Sequence, residues 1–308
     1  MSAVRVAAID VGTNTVLMLV ARAHAGRLER IADYARIARL GQGIDASGTL
    51  APEAIERTLA VLREYRALAT SHGAHVVAVG TSALRDAGDA ARFLEPAAAV
   101  LGAPVEVISG LREAALTFRG GLEGLTLDDR AIVLVDIGGG STEIVTGTRA
   151  QLTASASLDI GSVRLFERCS DGDPPSPRAI AAMRAAVDRA LAQGAPPLPP
   201  DAQLVAIAGT ATTIAAIALG IDDADPARVR GATISLDQTR EIADRLATMT
   251  TAERRAIAGM DPGRADVIVA GALLLVRIAE HTGAPHLTIS DGGVRVGLAL
   301  EAGTELRN

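Results

Sequence analysis

Val135-Asp136-Ile137-Gly138-Gly139-Gly140-Ser141-Thr142-Glu143 is the stretch whose reading decides the fold. It is entered from the apolar run Ala131 to Val135 and leads into a second strand-like run, Glu143 to Thr146. The same pattern occurs earlier as Ile9-Asp10-Val11-Gly12-Thr13-Asn14-Thr15, entered from Val4 to Asp10. Each copy reads apolar residue, Asp, apolar residue, Gly, two turn residues, then a hydroxyl. The copies lie about one domain length apart.

Physical chemistry gives the pattern a use. A tight turn of Gly and small residues exposes successive backbone N–H groups, which form an anion-binding concavity. Ser and Thr hydroxyls add donors. A strand-end Asp does not bind phosphate itself, but it can hold a divalent metal or its water shell, which bridges to phosphate oxygens. One such turn alone is an ordinary hairpin. Two in matching strand contexts point to phosphate binding, by Gly12, Thr13, Asn14 and Thr15 in the first copy and Gly138, Gly139, Gly140, Ser141 and Thr142 in the second. Asp10, Asp136 and Glu143 are the candidate metal ligands.

Working outward, Thr15 to Ala21 and Leu28 to Ala35 extend the first copy into an antiparallel meander with a turn around Gly26. Gly41 to Gly48 reads as a loop. Pro52 opens a helix to about Ser71, with Ile55, Leu59, Leu62 and Leu68 near helical spacing. Strand Val76 to Val79, a helix over 89–101, strand Val105 to Ile108 and a helix after Gly110 follow. Alternating strands and helices make an α/β layout. Gly and Asp cluster over 120–129, and the plan then restarts. Pro-rich loops at 174–177 and 195–200 flank a helix. Strand Leu204 to Ala208 ends in a Gly-Thr turn and a helix, 236–282 reads as helical, and Leu287 to Ser290 is the last strand.

Composition excludes several classes. The 308 residues, 49% hydrophobic and 21% charged, suit two folded domains. No apolar run is long enough to span a bilayer, and no basic segment followed by an apolar one marks a signal peptide. The single cysteine, Cys169, excludes an intrachain disulfide framework and points to a reducing cytoplasm. Cys and His show no zinc spacing. A net charge of −6, no Trp, two Tyr and three Phe argue against a nucleic-acid binder.

The duplicated hairpin with its strand-end Asp resembles the actin, heat-shock ATPase and sugar-kinase (ASKHA) superfamily. Within it, the chain is similar to the exopolyphosphatase and guanosine pentaphosphate phosphohydrolase family. The residues that carry the likeness are Asp10-Val-Gly-Thr-Asn-Thr15, Gly80-Thr-Ser-Ala-Leu-Arg85, Ile108-Ser-Gly110 with Glu113-Ala114, and Val135 to Glu143. Gly209-Thr-Ala-Thr212 and Ser290-Asp-Gly-Gly293 with Arg295 and Gly297 complete it, in family order over nearly the whole chain. The resemblance implies an α/β fold of two ribonuclease H-like (actin-like ATPase) domains, residues 1–125 and 126–308, with a cleft between them. The terminal helix, about 296–308, is expected to pack back on the first domain. Longer relatives append an HD-type helical region, which is expected to be absent here, with a bias toward short phosphate chains.

The resemblance also implies roles. Glu113, in the first turn of a helix, is the implied general base for water. Read alone, an acid there merely complements the helix dipole. The family commonly has an acid just before this Glu, whereas here Arg112 precedes it. Glu143 is a second catalytic or metal-positioning carboxylate. Arg85 is the implied phosphate grip, with Thr81 and Ser82 near it. Gly209 and Thr210 open a helix where an anion can bind. The expected activity is Mg²⁺-dependent removal of the terminal phosphate of inorganic polyphosphate, with guanosine pentaphosphate (pppGpp) as the alternative substrate. A sugar- or acid-kinase-like transferase and a non-catalytic phosphate sensor are the other classes. A homodimer, no membrane and no nucleic-acid partner are expected, with apolar helices in 236–282 serving as interface or as core.

Overall fold

Apolar residues alternate along the first strand. Val6 and Ala8 therefore enter one layer of core, and Ala7, Ile9 and Val11 enter another. The computed structural model describes residues 4–24, 27–221 and 226–305. They divide into two units: the chain up to Gly120 together with the segment from Val294, and Gly121–Gly293.

In the first unit, β1 (Val4–Val11), β2 (Thr15–His24) and β3 (Arg27–Ile37) form an antiparallel meander. Helices α1 (Ile44–Ser47) and α2 (Pro52–Ser71) lead to β4 (His75–Gly80). Then come α3 (Ser82–Asp86), α4 (Ala91–Leu101), β5 (Val105–Val107) and α5 (Gly110–Gly121). The sheet order is β3-β2-β1-β4-β5, with β4 parallel to β1 and β5 parallel to β4. Pro52 starts α2, and its buried Ile55, Leu59 and Leu62 make the apolar stripe laid on the sheet.

The second unit repeats the plan. Strands β6 (Ile132–Ile137), β7 (Thr142–Gly147) and β8 (Leu152–Leu158) form the antiparallel meander. Helices α6 (Ser162–Cys169) and α7 (Pro177–Gly194) lead to β9 (Gln203–Ile207) and α8 (Ala208–Leu219). A 3-10 turn at Pro226–Val229, β10 (Thr233–Ser235), α9 (Leu236–Ala247), α10 (Thr251–Arg255), α11 (Ile268–Thr282) and β11 (His286–Ile289) follow. The order is β10-β11-β9-β6-β7-β8, with β9 parallel to β6 and β11 parallel to β9. Three antiparallel strands followed by two parallel ones recur in both units, which is the ribonuclease H-like arrangement expected from the sequence. The chain ends with α12 (Val294–Glu305), which lies on β1 and β2 of the first unit.

The differences from the expected elements have local causes. The 41–48 loop contains the short α1. Strand β8 reads Thr-Ala-Ser-Ala-Ser in its middle, is largely half-exposed, and so carries no apolar signature of a strand. The 236–282 stretch is three helices, because Thr250 and Glu253 cap a new start and Gly259 and Pro262 hold the chain open after it. The apolar residues of helix α11, from Ile268 to Val276 with Ile278 and Ala279, are buried and belong to the core of the second unit. The turn expected around Gly26 lies outside the described residues.

Candidate active site

The two hairpin turns are built alike. In the first, the Gly12 N–H donates to the Thr15 carbonyl at 3.1 Å; in the second, the Gly138 N–H donates to the Ser141 carbonyl at 3.0 Å. A methyl group at Gly12 would stand 2.9 Å from that carbonyl oxygen, and one at Gly138 would stand 3.1 Å from its counterpart. Gly12 therefore needs glycine for close approach, and Gly138 is a tight fit. Thr13, Asn14, Thr15, Ser141 and Thr142 are buried.

Each turn is braced from outside the hairpin. The Asn14 carbonyl accepts from the N–H groups of Ala38 and Arg39, and the Thr13 carbonyl accepts from Gly41. In the second unit the Gly139 carbonyl accepts from Val163 and Arg164, and the Gly138 carbonyl accepts from Ser162. Gly161, just before α6, runs against the turn so closely that an added methyl would stand 2.7 Å from the Gly140 nitrogen. Sequence reading missed this brace, because β8 is too polar to read as a strand and the contact joins residues more than twenty apart in the chain. The isolated Gly161-Ser162 ahead of a helix was the available signal. Gly161→Ala is expected to displace the turn, raising KM for a phosphate substrate by about tenfold or more through a shift of order 1 Å. An unchanged KM would show that the turn tolerates displacement.

The sheet register separates the two copies chemically. Asp136 on β6 faces Glu143 on β7, and Glu143 faces Ser157 on β8. The Ser157 hydroxyl donates to Glu143 Oε1 at 2.7 Å. The corresponding row in the first sheet is Asp10, Leu17 and Ala35. Of these two rows, the one in the second unit sets two carboxylates directly opposite each other, an arrangement that like-charge repulsion disfavours. Glu143 is 1% exposed. Among the described residues, no three His, Cys, Asp or Glu side chains converge.

In the first unit Asp10 has the parity of Val6 and Ala8, placing it on the sheet face whose core includes Leu116 of α5. Glu113 lies one turn earlier on α5 and is 6% exposed. Arg85, expected to grip phosphate, donates from Nη1 to Glu113 Oε2 at 2.5 Å and to the Ile108 carbonyl at 3.0 Å. Burial pushes the Glu113 carboxyl above the ordinary carboxylate range; the charge and hydrogen bond of Arg85 oppose that, and Asp86 adds to it. A buried carboxylate raised in this way and held at one oxygen by a guanidinium is a stronger proton acceptor than an ordinary carboxylate. Arg112 turns to Glu301 in an ion pair. Thr81 and Ser82 are buried beside α3.

Gly209 and Thr210 do not form a separate turn. They are the second and third residues of α8, which opens with Ala208 at a φ of 67°. The guanidinium of Arg264 fills the space where a Gly209 side chain would stand. Arg264 was missed because 236–282 read as continuous helix; Asp261-Pro262-Gly263 before it was the signal of a loop. Thr210 is buried against Gly271 of α11, a packing contact. Asp291 is held by Arg230 through both carboxylate oxygens. Cys169 is half-buried, and burial raises its thiol pKa, which suits an inert residue. No helix among the described residues is long and apolar enough to cross a membrane.

The chain is similar to known proteins over most of its length. The sequence profile of the Ppx/GppA phosphatase family matches residues 19–304. Exopolyphosphatase 2 of Mycobacterium tuberculosis is 42% identical over 316 residues, covering 97% of this chain and 99% of that one. The crystal structure of an exopolyphosphatase from Cytophaga hutchinsonii superimposes with a TM-score of 0.86 at 28% identity, covering 98% of both chains. The Aquifex aeolicus PPX-GPPA enzyme gives 0.81 at 31% identity, covering 97% of this chain and 100% of that one. An exopolyphosphatase-like protein gives 0.94 at 32% identity, covering 100% of both.

Proposed function

This chain belongs to the Ppx/GppA phosphatase family, and from that premise we propose that it is an exopolyphosphatase, cleaving the terminal phosphoanhydride of inorganic polyphosphate. The observation that carries a hydrolytic reading is the buried Glu113, set by Arg85 and raised in pKa. In this reading Glu113 takes a proton from water as the water oxygen attacks the terminal phosphorus in line. The P–O anhydride bond breaks, releasing orthophosphate and a chain one unit shorter. Arg85 orients Glu113. The N–H groups and hydroxyls of the glycine turns hold phosphate oxygens, a preorganised electrostatic role.

We assign the divalent cation, Mg²⁺ by its preference for oxygen ligands, to Asp136 and Glu143 in the second unit, with Asp10 a further acid in the first. When bound, the cation neutralises charge on the phosphate oxygens.

The test is phosphate release from polyphosphates of defined length and from guanosine pentaphosphate, with Mg²⁺ present or chelated. Higher kcat/KM on polyphosphate, lost on chelation, is expected. A higher kcat/KM on guanosine pentaphosphate would move the substrate assignment to the nucleotide. ATP turnover only when an acceptor is added would replace hydrolysis by phosphotransfer.

A further inference from the structure

Helix α12 is almost wholly buried from Val294 to Gly303, although it arrives last in the chain. It meets α5 at two points that straddle Glu113. On one side, Gly297 lies against the Leu116 backbone. A methyl group there would stand 2.7 Å from the Leu116 carbonyl carbon and 2.9 Å from its Cα. Leu116 is one helical turn beyond Glu113. On the other side, Glu301 pairs with Arg112, the residue immediately before Glu113. The helix is itself anchored elsewhere: Arg295 makes a two-pronged ion pair with Asp33 on β3, with both contacts at 2.9 Å, and Gly303 packs on Ala23 of β2.

We propose that α12 is the positioning element for the general base, with Gly297 and Glu301 as positioning residues that fix α5 on either side of Glu113. This rests on the assignment of Glu113 as the base. Leu116 belongs to the same buried cluster as Val296, Leu298 and Ala299, so α5 cannot slide without opening that layer. Of the two contacts the glycine carries more, because it is a steric fit of backbone to backbone. The Arg112–Glu301 pair is partly exposed, with side-chain exposures of 41% and 22%, and is screened accordingly. The departure from the family pattern at Arg112 gains a function: it ties α5 to α12. Arg85 and Asp86 of α3 act on the Glu113 carboxyl from outside its own helix, and Asp10 lies on the sheet face whose core includes Leu116.

The experiment compares Gly297→Ala with Gly303→Ala in the full chain. Both crowd α12, but only the first crowds α5. Gly297→Ala is expected to lower kcat by about tenfold to a hundredfold with KM within about twofold, from a small displacement of Glu113. It is also expected to move the acidic limb of kcat to lower pH as α5 lifts and Glu113 becomes wetter. Gly303→Ala is expected to lower Tm without moving that limb. Equal kcat losses and unmoved limbs in both variants would overturn the proposal. If Gly297→Ala does not fold, Glu301→Gln serves, with a few-fold fall in kcat and the same direction of limb shift. The Glu113 carboxyl resonance, assigned by its absence in Glu113→Gln, gives an activity-independent reading by NMR titration. Its pKa should fall in Gly297→Ala or Glu301→Gln and stay in Gly303→Ala. A shift in a chain that releases no phosphate would fail the catalytic reading alone. No shift in a chain that is active would fail this one.

Discussion

Glu113→Gln is expected to remove phosphate release by about 10²–10⁴-fold, the range a positioned general base supplies. That loss corresponds to about 3–5 kcal/mol of barrier. KM is expected to change little, because the amide keeps the shape and an oxygen for Arg85 to contact. The variant is also expected to be at least as stable as the parent at neutral pH. Burial raises the folded-state pKa of Glu113 above its ordinary value despite Arg85, so the ionised carboxylate costs stability in the fold. That cost is absent below the ordinary carboxylate pKa of about 4.3 and fully present above the raised one. The stability gap between variant and parent should therefore close as pH falls through that window. In the parent the acidic limb of activity should lie above the ordinary carboxylate range, since only ionised Glu113 accepts a proton. Thermal melts and kcat/KM from acidic to neutral pH check both. Full activity in Glu113→Gln would remove Glu113 from the mechanism.

Asp136→Asn and Glu143→Gln are expected to lower Mg²⁺ affinity by more than the about 10–100-fold that the loss of an outer-shell partner costs. The register explains the size. The two carboxylates face each other across β6 and β7, and Glu143 is buried. Without metal, either substitution removes a like-charge contact, so the metal-free variant should melt no lower than the metal-free parent. With Mg²⁺ at about 100 times its Kd, the parent should gain about 2.7 kcal/mol of stability, and the variants much less. Melting curves over a Mg²⁺ titration read this without turnover. An equal Mg²⁺-induced rise in parent and variants would place the cation elsewhere.

The sequence alone determined the repeated plan. The Asp-x-Gly turns at Asp10 and Asp136 sit at the ends of apolar strands, and backbone sterics leave such a segment few conformations. The same signals located the glycine turns as residues of interest, and the family resemblance added Glu113 and Arg85. Only the tertiary structure decided how they are used. Arg85 went to Glu113 because a buried carboxylate on α5 lies within reach of the end of α3, a relation between segments with no signal in local spacing. The brace at Gly161, the guanidinium of Arg264 beside Gly209 and the seat of Gly297 on Leu116 are contacts between segments far apart in the chain, or in strands too polar to read. The opening stretch shows the same division. Its residues set the turn, but the pairing of Asp136 with Glu143 and of Glu143 with Ser157 is fixed by strand register, which long-range packing selects.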